Sequence, residues 1–126
     1  MIADTSFLVA FFLDEDEFHD KAVKELELLN TKIVISDRVL EETFTVLNYK
    51  KGINFVLNVI EMLERNNDII IYKIGEKDWD SIFNLIKQLN KKISFVDYSV
   101  IYLSLKIGEK ILCFDDEMNK IISKNI

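Results

Sequence analysis

Four short apolar runs, each followed by a longer stretch with helical spacing, set the tightest limit on what this chain can build. "MIA", "KIVIS", "IIIYKI" and "KILCF" read as strands, the third as a strand of buried type. Between them, "TSFLVAFF" reads as an apolar helix. "EFHDKAVKELELLN" reads as a helix with Phe18, Ala22, Leu26 and Leu29 on one side. "SDRVLEETFTVLNYK" follows with Ser36 as its N-cap, then "INFVLNVIEMLERN" after Gly52 and "EKDWDSIFNLIKQLN". "VDYSVIYLSLKIG" ends at Gly108, and a last short helix covers "DEMNKIIS". Strands alternating with helices predict an α/β domain with a mostly parallel sheet and helices on both faces. A length of 126 residues makes it a single domain, 1–126, with no linker, repeat or low-complexity tract.

Composition excludes several classes. No apolar run approaches the ~20 residues needed to cross a bilayer, and no signal-peptide pattern opens the chain, so a soluble, cytoplasmic protein is expected. Cys113 is the single cysteine, which rules out an intramolecular disulfide and a multi-cysteine metal site. The net charge of −6 argues against nucleic-acid binding by bulk charge, but not against binding through metal ions and a local patch of lysines.

The acids themselves are informative. Ligand sites in open parallel sheets form beyond the carboxyl ends of the strands, and Asp4 and Asp115 follow two such ends. On the helix after "KIVIS", at about 100° per residue, Val39, Leu40, Phe44, Val46, Leu47 and Tyr49 mark an apolar arc. Glu42 falls inside this arc and Glu41 outside it. A helix starting at Asp97 is apolar almost all round, with Ser99 and Lys106 as its solvent strip. Asp97 lies on the inward line with Ile101, Ser104 and Gly108. Four carboxylates, Asp4, Glu42, Asp97 and Asp115, are thus aimed at one region with no basic residue in the same motifs. Such a set suits one or two hard divalent cations, Mg2+ or Mn2+, which can activate water and clamp a phosphodiester.

The other candidates read as structure. Asp116 and Glu117 open a helix, where acids are ordinary, although Glu117 is within reach of a second metal. "DEDE" at Asp14–Glu17 lacks the glycine and spacing of a calcium loop. His19 reads as a helix-face histidine and Cys113 as a small buried apolar residue. Trp79 and Phe83 read as helical core. Lys50, Lys51, Lys91 and Lys92 read as solvated, and as candidate phosphate contacts should RNA be the substrate.

"IADTSFLVAFF", "SDRVLEETFTVL", "ISFVDYSVIYLSLKIG" and "KILCFDDEM" resemble, in order and spacing, the four blocks of the PIN-domain family, and within it the VapC-like toxin branch. The resemblance implies a three-layer α/β/α sandwich with a short, mostly parallel sheet. It also implies an acidic pocket for Mg2+ or Mn2+ and endonucleolytic cleavage of RNA. Motif by motif, Asp4, Glu42, Asp97 and Asp115 correspond to the acids of the four blocks. Thr5 or Ser6 resembles the hydroxyl that positions substrate after the first acid. A toxin implies a cognate antitoxin, and the family implies a homodimer. The chain departs from the pattern at Cys113, where Thr or Ser is common, and lacks the usual proline after the first helix. A catalytically silent PIN-like module binding RNA or a protein is the alternative. Receiver-type and haloacid-type phosphoryl-transfer domains fit poorly: the first strand gives one acid where receivers want two, and Ser6 stands where the second type wants an acid.

Overall fold

Ile2–Ala3 (β1) is only two residues long, yet both residues are fully buried and hydrogen-bonded on two sides. The computed structural model describes residues 1–125. Ile2 N donates to Lys110 O at 2.8 Å, and Val34 N donates to Met1 O at 2.9 Å. β1 thereby lies between β2 (Ile33–Ser36) and β4 (Ile111–Leu112), with β3 (Ile69–Tyr72) beyond β2. All pairings are parallel, in the order β3-β2-β1-β4. Parallel neighbours require crossover connections, and helices supply them here. These are α1 (Thr5–Phe12), α2 (His19–Leu28), α3 (Asp37–Lys51), α4 (Ile53–Arg65), α5 (Glu76–Leu89), α6 (Phe95–Ile107) and α7 (Asp116–Asn125).

Local chemistry sets the helix ends. Ser36 caps α3 as expected, its Oγ accepting from Arg38 N at 3.1 Å. Gly52 (φ +87°) ends α3 and opens α4 in a backbone conformation that other residues resist. Helix α6 starts two residues before Asp97, because Ser94 and Asp97 cap each other. Asp97 N donates to Ser94 Oγ at 3.1 Å, and Ser94 N donates to Asp97 Oδ2 at 3.3 Å. The main core packs Phe7, Ile35, Val39, Val100, Ile101 and Leu103 onto the sheet, each such side chain contributing about 1.5–3 kcal/mol. A smaller cluster of Leu13, Leu47, Val56 and Val59 lies beneath α1, α3 and α4.

Several expectations need correction. The fourth strand is two residues, not five, because Cys113 and Phe114 turn away to join the start of α1. β3 is an edge strand, so Ile70 is exposed. Ser99 does not face solvent. It is fully buried, where its Oγ donates to Val96 O at 2.6 Å and lies 3.2 Å from Ser36 Oγ. Tyr49 is 92 % exposed and Phe83 47 %, so neither belongs to the core. His19 does what a structural histidine does, its Nδ1 lying 2.9 Å from Ala10 O.

Candidate active site

The carboxyl edge of the sheet collects the first and last acids through strand pairing. Asp4 N donates to Leu112 O at 3.0 Å, so the exits of β1 and β4 are adjacent. Asp4 is also the N-cap residue of α1, although its side chain makes no capping hydrogen bond. One of its oxygens, Oδ2, accepts from Ser6 Oγ at 3.1 Å and from the Cys113 thiol at 3.2 Å. The other, Oδ1, is buried and has no partner among the described residues, and neither has the neighbouring Thr5 hydroxyl. Two orphaned buried polar atoms on consecutive residues are unusual in a folded interior.

Electrostatics sharpens this. Burial pushes the Asp4 carboxyl above its ordinary range. The Cys113 and Ser6 hydrogen bonds oppose that, and the charge of Asp97 reinforces it. Asp97 therefore lies near enough for its charge to be felt at Asp4. Burial, then the Asp4 charge, pushes the Cys113 thiol up to about 12. The thiol stays protonated and can only donate to Asp4.

The remaining acids are placed differently. Asp115 is exposed, and its Oδ1 accepts from Met118 N at 3.0 Å, capping α7. A three-ring stack of Phe7, Phe114 and Phe18, with centroids 5.5 and 4.9 Å apart, fixes the turn before it. Glu42 is half-buried on α3, whereas Glu41 is exposed and paired with Arg38 Nη1 at 3.1 Å. Glu117 is exposed in the first turn of α7. Among the described residues, no three acids, histidines or cysteines are already set as a metal-holding group. The donors still suit a hard cation. They are carboxylate oxygens, one of them buried and unpartnered, and no basic side chain pairs with Asp4, Glu42, Asp97 or Asp115 among the described residues.

Of the two hydroxyls that follow the first acid, Ser6 is the one that hydrogen-bonds Asp4. Its Oγ donates to Asp4 and accepts from Phe114 N at 3.0 Å, tying α1 to the β4 exit. Sequence reasoning missed a second buried acid, Asp78. Its Oδ1 accepts from Tyr72 OH at 2.9 Å, from Lys106 Nζ at 3.2 Å and from Tyr102 OH. Its Oδ2 accepts from Gly75 N at 2.8 Å. The available signal was an acid in the first turn after a glycine, with Tyr102 and Lys106 one helical turn apart.

Comparison with known proteins agrees with this architecture. The fold is similar to that of the sarcin-ricin loop cleaving toxin VapC20 of Mycobacterium tuberculosis. There the TM-score is 0.84 at 21 % identity, over 94 % of this chain and 92 % of that one. It is similar also to VapBC2 of Rickettsia felis, solved bound to a promoter DNA fragment (TM-score 0.70, 18 % identity, 95 % and 91 % covered). A toxin–antitoxin complex from Klebsiella pneumoniae gives a TM-score of 0.68 at 13 % identity, with 90 % and 85 % covered. No curated protein matches the sequence. The family model described as PIN domain matches residues 1–123, and the chain belongs to the PIN domain family.

Proposed function

We propose that the protein is a metal-dependent endoribonuclease of the VapC-like branch, the toxin of a toxin–antitoxin pair. The buried, unpartnered Oδ1 of Asp4, in a carboxyl that the charge of Asp97 reaches, is the observation that carries this reading. A buried carboxylate left half-satisfied costs about 1–3 kcal/mol, and a cation would recover it. Asp4, Glu42, Asp97 and Asp115 would hold Mg2+ or Mn2+. When bound, the ion supplies Lewis-acid assistance to the attack of water on a phosphodiester. Ser6 and Cys113 hold Asp4 in one orientation by donating to the same oxygen, which leaves Oδ1 turned to the site. The serine–aspartate cap fixes Asp97 at the start of α6.

The partners follow from the same reading. A cavity of about 430 Å3 lined by Phe11, Leu26, Leu29, Met62, Leu63 and Ile69 offers an apolar seat for an antitoxin segment, with Glu27 and Asp68 at its walls. Tyr49, Ile53 and Leu57 are exposed around the α3–α4 junction and support a homodimer. No helix among the described residues is long and apolar enough to cross a membrane. That is compatible with cytoplasmic RNA as substrate.

Cleavage of RNA in Mg2+ or Mn2+ tests the reading. Asp4→Asn and Asp97→Asn should each abolish it without unfolding the protein, and excess EDTA should do the same to the wild type. Undiminished cleavage in EDTA would overturn the metal role. One observation favours a catalytically silent module: among the described residues, the acids are not already set as a metal-holding group. Calorimetric titration with Mn2+ separates the two, since a silent module would give no heat.

A further inference from the structure

We propose that the α5–α6 hairpin is the surface that receives the RNA strand, with lysines gripping phosphates and an exposed aromatic step taking a base. This rests on the ribonuclease reading and adds to it the route by which single-stranded RNA reaches the acids. The chain is acidic overall, yet residues 81–96 contain Lys87, Lys91 and Lys92 and no acid at all. All three lysines are exposed, and none makes an ion pair among the described residues. The other adjacent lysine pair is differently placed. Lys50 and Lys51 end α3, and Lys51 Nζ is already 3.0 Å from Glu15.

The loop of the hairpin is pinned to α6, the helix that carries Asp97. Tyr98, itself buried, accepts from Lys91 N at 2.9 Å and donates to Lys91 O at 2.6 Å through one hydroxyl. The backbone that presents Lys91 and Lys92 is thereby clamped to α6. Two residues after Lys92, Ser94 N donates to the Asp97 carboxylate. The basic loop and a candidate metal-binding acid are thus parts of one hydrogen-bonded turn.

Aromatic rings lie on the same hairpin as the lysines. Trp79 stacks on Phe95 with centroids 4.4 Å apart, and Phe83 meets Trp79 edge-on at 5.7 Å. Phe83 is 47 % exposed and precedes Lys87 by one helical turn. A half-exposed ring backed by an aromatic stack costs stability in water, and it matches what unpaired bases need. Lysines interleaved with stacking rings form the usual surface for single-stranded nucleic acid. An acidic protein partner would use the lysines but has no need of the ring.

The test measures binding of a short, fluorescein-labelled single-stranded RNA of mixed sequence by anisotropy over a range of salt. Asp4→Asn serves as the background so that nothing is cut. Adding Lys87→Gln, Lys91→Gln and Lys92→Gln together should reduce the salt slope by roughly 2, at about 0.7 for each phosphate that is no longer neutralised. Phe83→Ala should weaken binding about fivefold or more with the slope unchanged. Lys50→Gln with Lys51→Gln should change neither. In the otherwise wild-type enzyme, the triple lysine variant should raise KM and leave kcat alone. An unchanged slope in the triple variant overturns the proposal, and so does Phe83→Ala turning a dimer into a monomer, which would make the face an interface between copies. If the wild type cuts RNA and the triple variant does so equally well, only the hairpin proposal falls. If the wild type neither cuts nor binds RNA with Mn2+ present, the ribonuclease reading falls with it.

Discussion

Asp4 and Asp78 are buried to nearly the same degree, 3 % and 6 % exposed, and both sit at the start of a helix that follows a strand. Their surroundings are opposite. Asp78 accepts from two tyrosines, a lysine and a backbone N–H. Burial opposes its ionisation, but the bonds from Tyr102, Gly75, Tyr72 and Lys106 outweigh it and hold the carboxyl well below the usual range. Asp4 has a thiol and a hydroxyl on one oxygen and, among the described residues, nothing on the other, with a second acid near it. Burial therefore does not separate a structural acid from a candidate catalytic one. The separation lies in whether each oxygen has been given a donor.

The largest effect that can break this contrast is at Asp78. Asp78→Ala strands the Tyr102 hydroxyl and the Gly75 N–H, and should cost about 2–3 kcal/mol in urea denaturation. Lys106 is half exposed and can turn to water, so its loss is not counted. RNA cleavage at a temperature where the variant stays folded should survive. A stability loss well under about 1 kcal/mol would mean that the network around Asp78 is ornamental.

Asp4 should respond with the opposite sign. In EDTA, Asp4→Asn removes a buried, repelled charge and should stabilise the protein by about 1 kcal/mol at neutral pH, while abolishing cleavage. The pH profiles should diverge too. The folded Asp78 carboxyl lies below 3.8, so its contribution is complete above 3.8 and disappears as pH falls through the lowered value. The folded Asp4 carboxyl is raised, so the stability conferred by its proton is complete below 3.8 and lost as pH rises through the raised value. The advantage of Asp4→Asn over wild type should accordingly grow with pH from about 3.8 and then level off. Saturating Mn2+ should erase it. A variant less stable than wild type in EDTA at neutral pH would show that Asp4 is a satisfied structural acid like Asp78.

The same contrast marks the limits of the sequence. Strand and helix placement were readable because each element carries its own signal: apolar runs, three- and four-residue spacing, Ser36, Gly52 and Gly108 at the ends. Glu42 could be told from Glu41 because helical phase separates adjacent residues by about 100°, and the half-buried and exposed sites agree with that phase. Asp4 was legible because it follows a strand. Asp78 was not, since its side-chain partners lie six to twenty-eight residues away on β3 and α6. Ser99 looked like surface because a hydroxyl on an apolar helix has no way to announce Ser36 across the fold. Phe83 looked like core because hydrophobicity alone does not tell a helix which of its faces will be covered.

Cys113 should give the smallest effect and the finest resolution. It stands where related patterns carry a hydroxyl, and its thiol donates to the same Asp4 oxygen that Ser6 serves. A hydroxyl is the stronger donor, so Cys113→Ser preserves the contact that orients Asp4. The change in stability should be within about 1 kcal/mol, and cleavage should shift by less than about fivefold. Cys113→Ala removes the donor and leaves Ser6 alone on Oδ2, so it should lower cleavage more than the serine variant. With the thiol held up to about 12, alkylation at neutral pH should be slow and should accelerate as pH rises toward that value. If serine and alanine at this position behave alike, Ser6 suffices to aim Asp4. If serine abolishes cleavage, sulfur does more here than donate a hydrogen bond.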